Sequence, residues 1–501
     1  MNNPRAIVIG GGFAGLSSAI NLADKGMSVT LLEKNNHVGG RARVWSSEGF
    51  TFDMGPSWYW MPDVFEDFFS RFDKRVSDYY KLNRLDPGYE VYFPEEEKVA
   101  VDASMKTLSE WMERLEPGSF DKLQKFLDEA EYKYKVGIND LVYKPSRSLT
   151  EFIDIRLLKG LIRMDVFSSM RKHVNAYFKH PYLRQLMEFP ILFLGAVPSN
   201  TPALYSLMNY ADLKLGTWYP EGGMYSVVRA MESLAIEKGV AIKCDAEVTG
   251  FEFNGKNISG VKVGDEVFEA DVVVAGADYH HVDRHLLPAD RSNYSERYWD
   301  KRKMAPSSLL FYIGVNKPIE NMEHHSLYFD APFDQHADAI YTRPRWPETP
   351  LYYVSNTSKT DPNAAPEGCE ALTFLVPLAP DLEDTEEMRE KYFHKIMDRF
   401  ESTMGQNIRD NIVVKRSYAM NDFVTDYHAF KGNAYGLANT LDQTAILKPG
   451  LKNKKLNNLY YTGQLTVPGP GVPPSIISGI VVAEEIVKDM AFKPKKSSSV
   501  A

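Results

Sequence analysis

The sequence contains only two cysteines among its 501 residues, Cys244 and Cys369, and they lie far apart. This excludes a disulfide framework and a metal site built on paired cysteines, and it is typical of the reducing cytoplasm. Long apolar runs are also scarce, because the run PILFLGAVP is far shorter than the roughly 18 residues that a membrane-spanning helix requires. The first apolar run is short and ends in glycines, unlike a secretory signal peptide. We therefore expect a cytoplasmic protein whose contact with a membrane is peripheral.

Positive charge is in deficit as well. The chain has 58 Lys and Arg against 67 Asp and Glu, which gives a net charge of -9. Proteins that bind along nucleic-acid phosphates need clustered positive charge, so we predict no nucleic-acid partner.

Catalytic motifs are missing too. No G-x-S-x-G nucleophile motif is present, so the sequence does not support a serine hydrolase of the α/β-hydrolase type. No H-E-x-x-H pattern accompanies His281 and His285, so we predict no metal site. We expect His324 and His325 to lie in a surface loop.

Glycine, in contrast, is concentrated near the N-terminus. The run RAIVIG is typical of a short strand, FAGLSSAINLADKG of a helix and SVTLLE of a second strand. Gly10, Gly12 and Gly15 form G-x-G-x-x-G at the strand-to-helix junction, which lets backbone approach a pyrophosphate and lets helix pack on strand. Glu33 ends the second strand, where a ribose-binding carboxylate belongs. The sequence therefore predicts a dinucleotide site.

The next segment narrows the choice of dinucleotide. Gly39 and Gly40 precede Arg41, which adds a flexible backbone approach and a fixed cation suited to a pyrophosphate. Together with the later run GFTFDMG, these residues resemble the early signature of the flavin-containing amine oxidase superfamily. The resemblance implies FAD, stretched along these segments.

Two later segments complete the predicted cofactor domain. Residues 240–278 are predicted to form a β-meander that returns to the parallel sheet, and residues 458–487 a strand, a Gly/Pro-rich loop and a helix that begins near Pro474. The motifs and the resemblance together predict cofactor contacts at Gly10, Gly12, Ala14, Gly15, Glu33, Gly39, Gly40, Arg41, Gly55, Ser57, Trp58, Val248, Asp278, Gly463, Val472 and Pro473. The catalytic group is then the flavin itself, and no protein residue is assigned as the catalyst.

The predicted fold is α/β: a Rossmann-like FAD-binding domain, a second mixed-sheet substrate domain and a helical lobe. We assign 1–89, 216–299 and 439–492 to the FAD-binding domain and 90–120 and 300–438 to the substrate domain. Residues 121–215 are assigned to a helical membrane and substrate lobe, and 493–501 to a disordered tail.

The runs TGQLTVPGPGVPPSIISG and GTWYPEGGM resemble the bacterial carotenoid desaturases, which include phytoene desaturase and carotenoid 3,4-desaturase. The resemblance covers the whole chain. It implies an FAD enzyme that abstracts hydride from a hydrophobic carotenoid, and a helix after Gly216 to Met224 that lines the substrate tunnel. Many phytoene desaturases carry T-H-P-G where this chain has Thr466-Val467-Pro468-Gly469. The substrate is therefore either phytoene, desaturated in several steps, or a later carotenoid, acyclic or monocyclic and in some cases 1-hydroxylated, desaturated at C3,4.

Alternatives stay open at this point. They are an FAD-dependent carotenoid isomerase and a non-enzymatic lipid escort of the same fold; an amine oxidase is disfavoured because no cysteine for covalent flavin attachment lies near the C-terminal glycines. The run MGPSWYWMP suits an apolar substrate or a plain aromatic core. The oligomeric state is not indicated by the sequence.

One segment has an unusual charge. Between Arg156 and Arg184 stand seven Lys or Arg and a single acid, Asp165, in a chain that is otherwise acidic. A helix that mixes apolar and basic residues can lie in the headgroup region of an anionic membrane, although the same cations could equally pair with acids elsewhere in the chain. We predict an anionic membrane surface as a partner.

Overall fold

The protein alternates strands and helices along most of its length. Its structure, a computed structural model, describes residues 3–148, 151, 168–440 and 442–491. The strands are β1 (Arg5–Ile9), β2 (Ser28–Leu32), β3 (Val44–Ser47), β4 (Phe50–Asp53), β5 (Leu82–Arg84), β6 (Tyr89–Tyr92), β7 (Lys98–Val101), β8 (Trp218–Pro220), β9 (Ala241–Lys243), β10 (Val248–Asn254), β11 (Asn257–Val263), β12 (Glu266–Glu269), β13 (Val272–Ala275), β14 (Ser307–Val315), β15 (His325–Tyr328), β16 (Tyr352–Asn356), β17 (Glu370–Leu378), β18 (Ile412–Tyr418) and β19 (Leu459–Tyr461).

The helices are α1 (Phe13–Asp24), α2 (Pro62–Ser70), α3 (Lys106–Leu115), α4 (Ser119–Val136), α5 (Met170–Tyr177), α6 (Pro181–Glu188), α7 (Leu207–Leu213), α8 (Tyr225–Glu237), α9 (Tyr279–His281), α10 (Glu296–Asp300), α11 (Phe333–Tyr341), α12 (Glu386–Met404), α13 (Met420–Tyr427) and α14 (Val472–Ala491). The α/β fold class predicted from the sequence is confirmed.

A parallel sheet forms the centre of the first lobe, in the order β19-β13-β1-β2-β9. Its strands come from three distant parts of the chain, and β1 pairs with both β2 and β13, with Ile7 opposite Thr30 on one side and Val273 on the other. The apolar runs of β1 and β13 are buried because helices α1, α8 and α14 cover a face of the sheet. The predicted strand-helix-strand unit at the N-terminus is confirmed.

A three-stranded antiparallel meander, β10-β11-β12, leads into β13, as the alternating sequence predicts. The second lobe is a seven-stranded mixed sheet in the order β18-β14-β17-β16-β15-β6-β7. Its two longest strands, β14 and β17, pair in one continuous antiparallel register from Ser307 opposite Leu378 to Val315 opposite Glu370. Helix α12 packs on one face of this sheet.

Helices α3 to α7 form the region between β7 and β8, and their buried faces share one apolar core with β6, β7 and β15. Residues 156–167 of the predicted basic segment lie outside the described residues, as does the predicted tail at 493–501.

The motif GTWYPEGGM leads into α8, as expected, and this helix packs in the core of the first lobe. Tyr225 and Val228 pack against α1 in the core of the first lobe. The start of the helix is held by the Asp53 carboxylate, which accepts hydrogen bonds from the backbone N–H groups of Met224 at 2.9 Å and Tyr225 at 3.3 Å. A carboxylate favours a helix N-terminus, where backbone N–H groups lack partners. The motif therefore helps to build the first lobe, and the expectation that α8 lines a substrate tunnel stays a prediction.

Candidate functional site

An elongated cavity of about 1540 Å³, including its open mouth, lies at the carboxyl edge of the parallel sheet. Four strands deliver residues to it directly after they end: Gly10 after β1, Glu33 after β2, Gly276 after β13 and Gly463 after β19. The carboxyl edge of an open parallel sheet is the general place for ligand binding, because loops from neighbouring strands diverge there. The cavity then continues toward the second lobe.

The glycines of the loop between β1 and α1 are required for different reasons. A Cβ placed on Gly15 would stand 1.9 Å from the carbonyl oxygen of Gly10, so this glycine is needed for the helix to pack on the strand. A Cβ on Gly12 would meet only the Cα of Gly40, at 3.9 Å, so its neighbours in the protein do not require glycine there. Gly12 and Gly40 both line the cavity and bring two backbone segments together across it. Because Gly12 has no side chain, a ligand in the cavity can come close to its backbone, which a contact between backbone and phosphate requires.

Glu33 is buried at the end of β2 and lines the cavity. Its Oε2 atom accepts a hydrogen bond from the Gly11 backbone N–H at 2.7 Å, and its Oε1 atom accepts from the backbone N–H of Asn35 at 2.9 Å. These bonds fix the carboxylate between the glycine loop and the segment that follows β2. A fixed acceptor at this point suits a ribose hydroxyl.

Arg41 places a cation on the opposite wall. Its Nη2 atom donates to the carbonyl oxygen of Asn433 at 3.2 Å, and its guanidinium carbon lies 5.1 Å from the ring centre of Tyr427. Burial lowers the pKa of Arg41, and the negative charge of Asp278 opposes that effect. Its Nε atom is buried without a hydrogen-bond partner among the described residues. A buried guanidinium with an unused donor is suited to bind a phosphate oxygen.

Asp278 is buried beside the cavity and accepts hydrogen bonds from the backbone N–H groups of His281 at 3.2 Å and Phe430 at 3.2 Å. Burial raises the pKa of this carboxyl, while Arg41 lowers it. Asp278 therefore ties the end of β13 to the second lobe.

The C-terminal segment closes the cavity. Gly463, Gly471 and Val472 line it, and helix α14 begins at Val472. A Cβ on Gly479 would stand 2.6 Å from the carbonyl oxygen of Ala14, so α1 and α14 cross in close contact. Both helix N-termini therefore point toward the same space, which favours a negatively charged ligand there.

Beyond Pro56, which lines the cavity, the chain continues into a cluster of aromatic side chains. The ring of Trp58 stacks on His325 at 4.3 Å with an interplanar angle of 11°. The Tyr353 hydroxyl donates to the Ser57 hydroxyl at 2.9 Å and lies 2.6 Å from Nδ1 of His325. Burial lowers the pKa of His325 well below its usual value, so the ring is neutral. The sequence-based prediction of a surface loop at His324 and His325 was therefore wrong: both are buried where β15 pairs between β6 and β16.

Most of the predicted cofactor contacts converge on the cavity. The residues that line it are Gly10, Gly12, Ala14, Glu33, Gly39, Gly40, Arg41, Gly55, Val248, Asp278, Gly463 and Val472. Gly15, Ser57, Trp58 and Pro473 do not line it, and each lies next to a lining residue or loop.

Other lining residues have no counterpart in the prediction. Lys34, Glu247 and Ala277 are direct neighbours of predicted residues in the sequence, so a search of the neighbouring positions would have found them. Sequence reasoning missed a larger group from the second lobe, and no local motif marks these residues: Ser308, Leu310, Leu375, Phe423, Asp426, Tyr427, His428 and Tyr435.

His281 also lines the cavity, where it stacks on His428 at 3.9 Å. Burial lowers the pKa of His281 to about 3, so the imidazole is neutral. Within 3–148, 151, 168–440 and 442–491, no group of His, Cys, Asp and Glu has the arrangement of a metal site.

Comparison with known proteins identifies this architecture. Residues 13–487 match the flavin-containing amine oxidoreductase family. The chain is 41% identical to a carotenoid 3,4-desaturase of Haloarcula japonica, over 97% of this chain and 98% of the relative. It is 31% identical to a zeta-carotene-forming phytoene desaturase of Myxococcus xanthus, over 96% and 94% of the two chains. The chain belongs to the carotenoid desaturases of the flavin-containing amine oxidoreductase family.

The crystal structure of an oxidoreductase from Methanosarcina mazei shares the fold, with a TM-score of 0.61 and 16% identity over 96% of this chain and all of that one.

The cofactor of the carotenoid desaturase described here is FAD. The cavity fits that cofactor: it offers a glycine cradle, a fixed carboxylate, a buried cation with an unused donor and two helix N-termini. In the part of the chain that the structure describes, no helix combines the length and apolarity needed to cross a bilayer.

Proposed function

We propose that this protein desaturates an acyclic or monocyclic carotenoid at C3,4, and that its substrates include 1-hydroxylated carotenoids. The observation that carries the proposal is the 41% identity to a carotenoid 3,4-desaturase along nearly the whole of both chains. The Val467 position supports it, because this residue is buried in an apolar core and supplies no titratable group where many phytoene desaturases carry histidine.

The cavity wall contributed by the second lobe suits a polyene. Leu310, Leu375 and Phe423 line it, with Met54 of the first lobe also in the lining, and an aromatic cluster continues from Trp58 through Trp60, Tyr89 and Phe189. FAD, when bound, supplies the hydride acceptor. The protein's own residues exclude water and hold an apolar chain against that acceptor. The imidazoles of His281 in the wall and of His325 in the aromatic cluster are neutral, so neither adds charge.

The test is product analysis with purified protein. FAD-reconstituted enzyme is supplied with an acyclic carotenoid and with its 1-hydroxylated derivative, each in liposomes. A C3,4-desaturase yields a product that has lost two hydrogens and absorbs at longer wavelength. A product of unchanged mass would identify an isomerase, and a protein that stays colourless after reconstitution would leave only a lipid escort. Loss of hydrogens at another position of the chain would overturn the C3,4 assignment.

We also propose that the protein works while peripherally attached to an anionic membrane in the cytoplasm. A water-insoluble polyene must enter from a lipid phase, and the basic segment Arg156 to Arg184 joins the helical region that shares its core with the aromatic cluster. Lys172 and Lys179 are exposed on this segment. Arg171, however, pairs with Glu188 at 2.6 Å and with Asp334 at 3.1 Å, so at least one of the cations serves the fold instead.

A further inference from the structure

Two buried polar side chains stand close to the cavity with unused hydrogen-bonding capacity. Lys448 is 5% exposed and Asn439 is 3% exposed. The Lys448 Nζ atom and the Asn439 Oδ1 atom have no hydrogen-bond partner among the described residues. A buried polar atom without a partner costs free energy, so a pair of them in one place points to a ligand that satisfies both.

The two atoms face the same small space above Gly469. A Cβ on Gly469 would stand 3.1 Å from Asn439 Oδ1 and 3.3 Å from Lys448 Nζ. Gly469 has a φ of +138°, and the absence of a side chain keeps this space open. We call this group, Asn439, Lys448 and Gly469, the polar niche.

The polar niche lies where the flavin-binding loop meets the apolar core. Gly469 belongs to the loop that joins Gly463 to Val472, and both ends of that loop line the cavity. Its neighbour Val467 packs in the same core as Trp60, Tyr89 and Phe189. The Thr466 hydroxyl donates to the Pro449 carbonyl oxygen at 2.6 Å, which fixes the segment after Lys448 against the loop. A ligand in the niche would therefore touch the loop between Gly463 and Val472, at the point where that loop also contributes Val467 to the apolar core.

The chemistry of the niche selects one functional group. An amide oxygen accepts a hydrogen bond and a lysine amine donates one, so the complementary ligand must both donate and accept. A hydroxyl group does both, and a hydrocarbon could satisfy neither atom. The Asn439 Nδ2 atom, 3.4 Å from the same Cβ position, is a further donor for the hydroxyl oxygen. Burial also lowers the pKa of Lys448 to about 7, which makes an amine without a counterion tolerable here.

We propose that the polar niche binds the hydroxyl group of a hydroxylated carotenoid end group and thereby sets both substrate preference and the bond that is oxidised. The proposal rests on the proposed function. In a 1-hydroxylated end group only three bonds separate the oxygen from C3. An oxygen anchored at Gly469 would hold C3 and C4 near the glycine loop that borders the cavity. The ligand class is therefore an oxygen-bearing end group, and Lys448 and Asn439 are specificity-determining residues.

The test compares Lys448→Met and Asn439→Leu, which keep the size of each side chain and remove its polar atoms. Lys301→Met, which alters an exposed lysine, is the matched control. For each FAD-loaded variant we would measure the dissociation constants of the 1-hydroxylated and the parent carotenoid from the carotenoid absorption band, and their relative kcat/KM. We expect each niche variant to bind the hydroxylated carotenoid about tenfold more weakly, as for loss of one buried hydrogen bond. Binding of the parent carotenoid should be unchanged or stronger, and the control should match the wild type.

Three results would overturn the proposal that the polar niche binds a hydroxyl group. Equal weakening toward both carotenoids would mean a general structural role, and no change toward either would mean that the niche holds only water. A raised dissociation constant for FAD in Lys448→Met without carotenoid would mean that the amine pairs with the cofactor. If the wild type desaturates neither carotenoid, the proposed function fails, and the binding measurements still decide whether the niche recognises a hydroxyl group.

Discussion

At the scale of single residues, Gly12 and Gly15 separate the requirements of the ligand from those of the fold. A Cβ on Gly12 meets no protein atom closer than 3.9 Å, and its φ of -73° suits any residue. A Cβ on Gly15 would collide with the Gly10 carbonyl oxygen. We expect Gly12→Ala to fold normally and lose FAD affinity, and Gly12→Val to lose more, whereas Gly15→Ala should fail to fold stably.

The measurement is thermal unfolding of the apoprotein together with FAD titration. Apo Gly12→Ala should unfold at the wild-type temperature. A Gly12→Val protein that retains yellow colour and full FAD affinity would show that the phosphates lie elsewhere.

Glu33 allows a second test of the ribose contact. Glu33→Ala should weaken FAD binding by roughly 1.5–3 kcal/mol, because a buried charge-assisted hydrogen bond is lost. Glu33→Gln keeps an oxygen that can accept from the Gly11 N–H, so it should fall between the wild type and the alanine variant. Fluorescence titration of the apoproteins with FAD gives the three dissociation constants. Equal constants in all three proteins would remove Glu33 from the site.

Asp212 is predicted to make stability depend on pH. Burial raises the pKa of this carboxyl to about 7, and its Oδ2 atom accepts a hydrogen bond from the Tyr89 hydroxyl at 2.7 Å. Because the folded protein holds the proton more tightly than the unfolded chain, this contribution is complete below pH 4 and is lost as pH rises to 7. Asp212→Asn, which imitates the protonated acid, should therefore gain about 1.4 kcal/mol over the wild type for each pH unit between 4 and 7.

Urea unfolding at pH 5 and pH 7 measures this difference, and Asp290→Asn, at an exposed position, is the control. A gap between wild type and Asp212→Asn that does not widen with pH would mean that Asp212 is already ionised in the folded protein.

At the scale of secondary structure, sequence patterns predicted those elements whose conformation depends on residues that are close together in the chain. The strand, glycine turn and helix from Arg5 to Asp24 follow from apolar periodicity and from glycines at a sharp turn, and the meander β10 to β12 follows from alternation. The histidines at 324 and 325 were misassigned because their burial depends on strands β6 and β16, which are remote in sequence. Tertiary pairing overrides a polar local sequence in such cases.

The crossing of α1 and α14 is the element-scale feature that aims two helix N-termini at the cavity. Gly479→Ala would place a methyl group 2.6 Å from the Ala14 carbonyl oxygen and from the Ser17 side chain. We expect a loss of roughly 1–3 kcal/mol in stability, as for overpacked cores, together with weaker FAD binding because the helix starts move apart. Calorimetry and FAD titration test this, with Lys488→Ala on the exposed face of the same helix as the control. A Gly479→Ala protein with wild-type stability and affinity would show that the crossing can relax.

At the scale of the whole molecule, the site is assembled from segments that are distant in the chain. Glycine motifs predicted the wall that the first lobe contributes, since backbone approach to a dinucleotide demands glycine at particular positions. The opposite wall, with Phe423 and Tyr427, was not predicted, because side-chain contacts with a ligand leave no fixed spacing in the sequence. The polar niche was missed for the same reason: Asn439, Lys448 and Gly469 meet only after the loop folds.

The membrane proposal also belongs to this scale, because it concerns how the whole protein meets its substrate. Each exposed basic residue near an anionic surface contributes about 1 kcal/mol of attraction, and an amphipathic segment adds apolar contact. A charge-reversed variant should change Lys159, Arg163, Lys172 and Lys179 to Glu. Arg171 should be left in place, because its reversal would set a third carboxylate beside Glu188 and Asp334 and disturb the fold.

We expect the quadruple variant to stay in the supernatant when wild-type protein sediments with anionic liposomes, and to turn over liposome-borne carotenoid more slowly. FAD content should be normal, because neither Lys172 nor Lys179, the two of these residues that the structure describes, lines the cavity. Raising the salt concentration should release the wild type in the same way, since exposed charges are screened. The matched control reverses Lys256 and Lys301, which are exposed outside the segment. If the quadruple variant sediments as well as the wild type, or if the control is released equally, the basic segment is not the docking surface, and the polyene enters the protein by another face.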